Sequence, residues 1–195
     1  MAKSGNKQPG IYREADHSLI SQAEALSEWA TVAFDELVRT AHKYDAFVTY
    51  KELALLVQEK SGIRTRVLIT NWIGKLLEEV AILARDRAEP PLTSLSVYQD
   101  GTIGEPYARA PKSVADNPGE DIEIYAAGHR LLCYQKYAKD LPSDGGKPNL
   151  TPAERARRSR RTVPNPPADI TCVNCFVTLP ATNTCDDCGW SPAAA

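Results

Sequence analysis

Thr49-Tyr50-Lys51-Glu52-Leu53-Ala54-Leu55-Leu56-Val57, followed by Ser61-Gly62 and then by Thr70-Asn71-Trp72-Ile73-Gly74-Lys75-Leu76, is the stretch on which the fold of this chain turns. A Thr three residues ahead of a Glu forms a capping box: the hydroxyl accepts the third helical amide while the carboxylate reaches back to the cap amide. Leu53, Leu56 and Val57 follow at helical spacing, so a short helix is expected from Tyr50 to about Lys60, with Ser61-Gly62 as its stop. A further helix, starting near Thr65 or Thr70, carries Ile69, Trp72, Ile73, Leu76, Val80 and Leu83 on one face. Pro90-Pro91 ends it, because proline has no amide to continue the ladder.

Working outward, the apolar positions Trp29, Ala30, Ala33, Leu37 and Ala41 predict an earlier helix that begins near Ser18 or Ser21 and closes at His42. Downstream, Leu92-Thr93-Ser94-Leu95-Ser96-Val97-Tyr98 reads as a strand running into a tight Asp100-Gly101 turn. The order is therefore helix, turn, helix, strand, turn. Residues 105–120, rich in Pro, Gly and charge, read as loop, and Ile124, Ala127, Leu131, Tyr134 and Ala138 mark a last helix ending near Asp140. Residues 1–16 read as a flexible arm, 17–141 as the helical domain, 142–170 as a basic flexible linker with almost no large apolar residues, and 171–195 as a separate small module.

With 195 residues, 43% of them hydrophobic, the chain is long enough for one main core and an appendage. No stretch approaches the roughly 18 consecutive apolar residues of a membrane span, and Met1-Ala2-Lys3-Ser4-Gly5 opens no secretory signal, so a cytoplasmic protein with no membrane partner is expected. The formal net charge of -2 gives no global attraction to nucleic acid, so any such attraction has to come from local clusters.

Four of the five cysteines form Cys172-x2-Cys175-x9-Cys185-x2-Cys188. Two residues between paired cysteines let both sulfurs reach one tetrahedral ion from a single turn, and nine residues suffice to bring the second pair round. Four thiolates close the shell, so the expected cofactor is a structural Zn2+ that activates no water. Such a segment is too small for a core of its own, and zinc binding worth roughly 10 to 16 kcal/mol in small finger peptides shows what replaces it. Cys133, inside the last predicted helix, reads as a small buried hydrophobe.

The stretch Cys172-Val173-Asn174-Cys175-Phe176-Val177-Thr178-Leu179-Pro180 through Cys185-Asp186-Asp187-Cys188-Gly189 resembles the short zinc-ribbon family, although Phe176 stands where the first knuckle usually has glycine. That resemblance implies a ribbon that binds nucleic acid, binds protein or caps a domain. Phe47-Val48-Thr49-Tyr50-Lys51-Glu52-Leu53-Ala54 is similar to the Val-Thr-Tyr-Gly-Glu-Leu-Ala segment of the alkyltransferase-like winged-helix family. Asn71-Trp72-Ile73-Gly74-Lys75-Leu76-Leu77 is similar to that family's recognition helix, and Leu95 to Gly104 falls where the family has its Asp-Gly wing. The resemblance implies a mainly α, winged-helix-like DNA-binding domain. Where the family carries Pro-Cys-His-Arg this chain has Pro91-Leu92-Thr93-Ser94, so the acceptor cysteine and its activating histidine are missing, and Asn71 replaces the arginine that the family inserts into the base stack.

A non-enzymatic DNA-binding protein with no catalytic residue is thus the expectation. Arg64, Arg66, Asn71 and Lys75 lie at the start of the third helix, where a recognition helix faces phosphates and base edges, and Glu78 and Glu79 follow closely. Arg155, Arg157, Arg158, Arg160 and Arg161 form a run able to release counterions from DNA phosphates or to remain a solvated linker. A protein-binding adaptor or inhibitor acting through the ribbon and the helical module is the alternative, with another protein as its partner.

Overall fold

The structure, a computed structural model, describes residues 10–104, 107, 121–162, 170–180 and 182–192. Among the described residues five α-helices and two small sheets make a mixed, mainly helical fold, and the chain divides into two units, Met1–Ala156 and Arg157–Ala195. In the first unit, α1 (Gln22–Ala41) is capped by the Ser21 side chain, which accepts the Glu24 amide. Its buried face contains every residue expected from the periodicity, Trp29, Ala30, Ala33, Leu37 and Ala41, together with Ala25, Leu26 and Phe34. The alanines matter because small side chains let neighbouring elements approach closely. Trp72 packs on Trp29 with ring centroids 4.7 Å apart, and both indoles are buried.

Helix α2 (Tyr50–Ser61) starts on the expected capping box, with Thr49 Oγ1 accepting the Glu52 amide and Glu52 accepting the Thr49 amide. It ends at Gly62 in the left-handed conformation. The next helix begins later than the periodicity predicts: after strand β4 (Ile63–Thr65) and a single tight turn at Ile69–Asn71, α3 runs from Ile73 to Asp86. The delay arises because Ile63–Thr65 pairs with a strand that short-range periodicity cannot reveal. That strand is β1 (Ile11–Arg13), which lies between β2 (Leu19–Ile20) and β4, antiparallel to both, with Tyr12 opposite Arg64 and Leu19. Strand β1, at residues 11–13, corrects the reading of residues 1–16 as a flexible arm; residues 1–9 lie outside the described residues. Arg13 ties this sheet to α1 through Glu24 and Glu28, at 3.1 and 2.5 Å.

The expected strand at Leu92 starts as a tight helical turn, Leu92–Leu95, and only Ser96–Val97 extends as β5, parallel to β3 (Val48–Thr49). The Asp-Gly turn forms as expected: the Gly101 amide donates to the Tyr98 carbonyl at 2.9 Å and Asp100 accepts from Thr102. Gly101 has φ +78, and a Cβ there would lie 2.8 Å from Thr151 Oγ1, so glycine is required twice over. The loop reading of residues 105–120 falls, apart from Tyr107, outside the described residues. Helix α4 (Ile122–Tyr137) is capped by Asp121 and buries Ala126, Ala127, Cys133 and Tyr134, with Arg130 on the same face.

Residues 142–162 depart from the flexible linker that their composition suggests. Residues 142–151 form a strap over the first unit, and α5 (Pro152–Thr162) follows. The strap is held by polar atoms where a reading of apolar content finds nothing. Tyr44 donates its hydroxyl to the Lys147 carbonyl at 3.0 Å and accepts the Lys147 amide at 2.8 Å and Asn149 Nδ2 at 3.2 Å. Asp45 accepts from the same amide group at 2.8 Å, and Thr151 donates to the Gly101 carbonyl at 2.8 Å. Residues 163–169, the rest of that stretch, lie outside the described residues.

Replacing Tyr44 by Phe keeps the ring and removes all three hydroxyl bonds. Urea unfolding is expected to show a loss of about 1 kcal/mol, with faster amide exchange across residues 143–150. Unchanged exchange there would show that the hydroxyl does not hold the strap.

Candidate metal centre and basic surfaces

In the second unit the cysteine module is built from two similar turns. Phe176 donates its amide to the Cys172 carbonyl at 2.9 Å, and Gly189 does the same to Cys185 at 2.8 Å. Phe176 and Gly189 both sit in the left-handed region, at φ 57 and 69. A bridge between Thr171 and Thr178 and a bond from the Leu179 amide to the Ile170 carbonyl, 2.7 Å, carry the chain from the first turn toward the second. Cys172, Leu179 and Cys185 are buried together, with Ile170 and Trp190 packed against them.

The four sulfurs of Cys172, Cys175, Cys185 and Cys188 lie within 4.8 Å of one another, and those of Cys172 and Cys188 are 3.5 Å apart. A tetrahedral ion with metal–sulfur bonds of about 2.3 Å sets its sulfurs about 3.8 Å apart. The cluster therefore matches the size of a four-thiolate metal site, and all four cysteines are free of disulfides. The Cys188 sulfur, then burial and the Cys185 sulfur, push the Cys175 thiol up to about 12. Asn174 Nδ2 lies 3.8 Å from the Cys188 sulfur, an outer partner for that ligand. Among the described residues no other trio of His, Cys, Asp or Glu side chains comes close enough to hold an ion.

Cys133 is fully buried on α4, with its sulfur 3.9 Å from Ser94 Oγ. Burial pushes its thiol up to about 12, so at neutral pH it is neither a nucleophile nor a ligand. The histidines are scattered: His17 in the β1–β2 turn, His42 after α1, and His129 on α4 with Nδ1 2.8 Å from the Tyr107 hydroxyl.

The basic residues expected around the third helix separate. Arg64 lies in β4 and its Nε meets Glu14 at 2.9 Å, so this arginine closes the sheet edge instead of standing on α3. Arg66, Thr70, Asn71 and Lys75 are exposed between the end of β4 and the first turn of α3, beside the exposed Leu68. Glu78 and Glu79 are exposed three and four residues after Lys75, hence on its side of the helix, and cancel its charge. The positive part of this surface is thus confined to the residues that precede α3.

The arginine run is helical. Arg157, Arg160 and Arg161 stand at i, i+3 and i+4 on α5 and share one face, all three exposed, while Arg158 is half-buried and Arg155 sits a turn nearer the N-terminus. Arg160 and Arg161 occupy the last turn, where the helix dipole favours cations. Sequence reasoning missed Arg130, buried among Ala126, Ala127, Cys133 and Tyr134. The available signal was its place on an apolar stripe, i+3 and i+4 from two alanines that face the core.

No family model, no curated protein and no solved structure matches the chain. No helix among the described residues is long and apolar enough to cross a membrane.

The cluster makes the cysteines interdependent. The wild-type chain is expected to carry one metal equivalent, Cys172→Ser to lose it and Cys133→Ser to keep it, as read by elemental analysis of the purified proteins. A full equivalent retained in Cys172→Ser would refute the four-cysteine site. Cys133 should also resist alkylation at pH 8 until the chain is unfolded.

Proposed function

We propose that this protein is a non-enzymatic DNA-binding protein in which a winged-helix-like module and the basic helix α5 contact the duplex and a structural zinc ion holds the ribbon. The observation that carries the reading is the exposed face of Arg157, Arg160 and Arg161 on α5. Three exposed guanidinium groups on one side of a helix can meet the phosphates of a polyanion together and release their counterions. Support from the helical unit comes from Arg66 and Asn71, exposed ahead of α3, and from the Asp-Gly turn that follows β5 in the place of a wing. The four-thiolate set and its size favour zinc, a tetrahedral ion with a preference for sulfur and no open position here.

Charge argues against the ribbon as a second DNA contact. From Thr162 onward the chain carries Asp169, Asp186 and Asp187 and no Lys or Arg. Four thiolates on a dication add roughly two more negative charges. Phosphate is repelled by such a module. Its exposed apolar side chains, Val173, Phe176 and Val177 with Phe176 82% exposed, suit a protein surface instead. The second reading, an adaptor that works through the ribbon, rests on that patch and is compatible with the first.

The α5 contacts are tested by duplex binding across a salt series. Replacing Arg157, Arg158, Arg160 and Arg161 by Ala should reduce the log–log salt slope by about 0.9 per lost phosphate contact and weaken all sequences alike. Asn71→Ala should instead change sequence preference, at about 1 to 3 kcal/mol for a lost base contact. If the intact metal-loaded protein binds neither duplex nor single strand at low salt, the DNA reading fails and the adaptor reading replaces it.

A further inference from the structure

We propose that a cleft in the first unit, between the residues leading into β3, α4 and the strap, is a binding site for a small oxoanion, a phosphate or carboxylate group held by Arg130 and Arg155. The cleft has a volume of about 50 Å³, and Asp45, Tyr134, Asn149 and Thr151 complete its polar lining. A single water needs roughly 10–15 Å³ of such space, so the cleft takes a group of a few heavy atoms and excludes a nucleoside or a larger metabolite.

Arg130 makes the case. It is 2% exposed, yet among the described residues its hydrogen bonds go only to two backbone carbonyls, Ser94 at 3.3 Å through Nη1 and Asn149 at 3.4 Å through Nη2. Both bonds are long, and a guanidinium has five donors to place. Among the described residues no carboxylate lies within ion-pair distance of it. A buried, permanently charged group without an anion is a costly arrangement that proteins resolve by pairing. Burial pulls the Arg130 guanidinium below its ordinary value, with the carboxylates of Glu123 and Asp45 acting on it only from a distance. Asp45 is exposed at the rim and already accepts Asn149 Nδ2 at 2.8 and 3.1 Å.

Arg155, whose Nη2 donates to the Leu150 carbonyl at 3.2 Å, adds a second guanidinium to the wall. Arg130 and Arg155 both line the cleft, and forked guanidinium groups match the oxygen spacing of carboxylate and phosphate. The bound anion would tie α4 to the strap and to the first turn of α5. The site does not depend on the DNA reading, since the three-arginine face of α5 lies outside it.

Calorimetric titration and thermal melting of the full metal-loaded chain, with sodium phosphate, sodium acetate and sodium chloride at matched ionic strength, test the site. Phosphate, acetate or both should bind at one site per chain and raise Tm, with chloride ineffective. A response to phosphate alone assigns the phosphate class, and one to acetate the carboxylate class. Arg155→Ala, at an exposed position, should weaken binding about tenfold, as for one lost charge-assisted bond. Asp45→Asn should tighten it several-fold by removing the rim charge; Asn suits the left-handed backbone at this position, φ 61. Arg130→Met should abolish binding, and its far-ultraviolet circular dichroism reports whether it has folded. The Arg157/158/160/161 quadruple Ala variant should bind the anion unchanged, which separates this site from the DNA reading. No saturable response to either oxoanion, or an identical response in Arg155→Ala and Asp45→Asn, would overturn the proposal.

Discussion

The indole of Trp29 is the contact on which the helical unit depends. It is fully buried at the middle of α1, packs against Trp72 just before α3, and donates its N–H to the Ile63 carbonyl in β4 at 3.3 Å. One side chain thus meets a helix entry and a strand, and satisfies its only polar atom by the second contact. The Ile63 amide is committed too, to the Ser61 hydroxyl at 3.1 Å, so β4 is held from both sides of its first residue. Everything N-terminal follows from that fixation: β4 offers an edge, β1 pairs with it, and Arg13 then reaches the α1 carboxylates. The buried alanines of α1 make room for a tryptophan pair that larger residues would displace.

Legibility in the sequence followed the range of the interactions. The capping box at Thr49 and the α1 stripe could be read because their partners lie three to seven residues away. The cysteine cluster was legible for the same reason, its ligands being grouped in two short turns. Strands of two or three residues carry no period, and β1 finds its partner about fifty residues on. The strap was illegible for a different reason. Its anchors are a phenol, a carboxamide and backbone carbonyls, none of which raises the apolar content by which a packed segment is recognised. Arg64 shows the converse error: the expected helix start placed it on α3, and the short strand moved it onto a sheet edge against Glu14.

Charge is sorted along the chain more sharply than the net value of -2 suggests. Five arginines fall between residues 155 and 161, and from Thr162 onward only aspartates are charged. At physiological ionic strength the Debye length is about 8 Å, so each segment presents its own field to what approaches it. A summed charge near zero therefore conceals one segment that attracts polyanions and another that rejects them.

The clasp at Tyr44 bears on the order in which the molecule assembles. Its bonds to Lys147 join residues 103 positions apart, while the capping and periodic contacts of α1 and α2 are local. Contacts of high sequence separation form late, because loop closure must precede their reward. During synthesis α1 to α3 can pack while the strap is still inside the ribosome, and the strap closes only after residue 150 has emerged. The strap therefore closes on a helical unit whose local contacts are already made. An unfinished helical unit would thus leave Tyr44 and Asp45 without Lys147 and Asn149, so that protection of the strap amides reports on the integrity of the whole first unit.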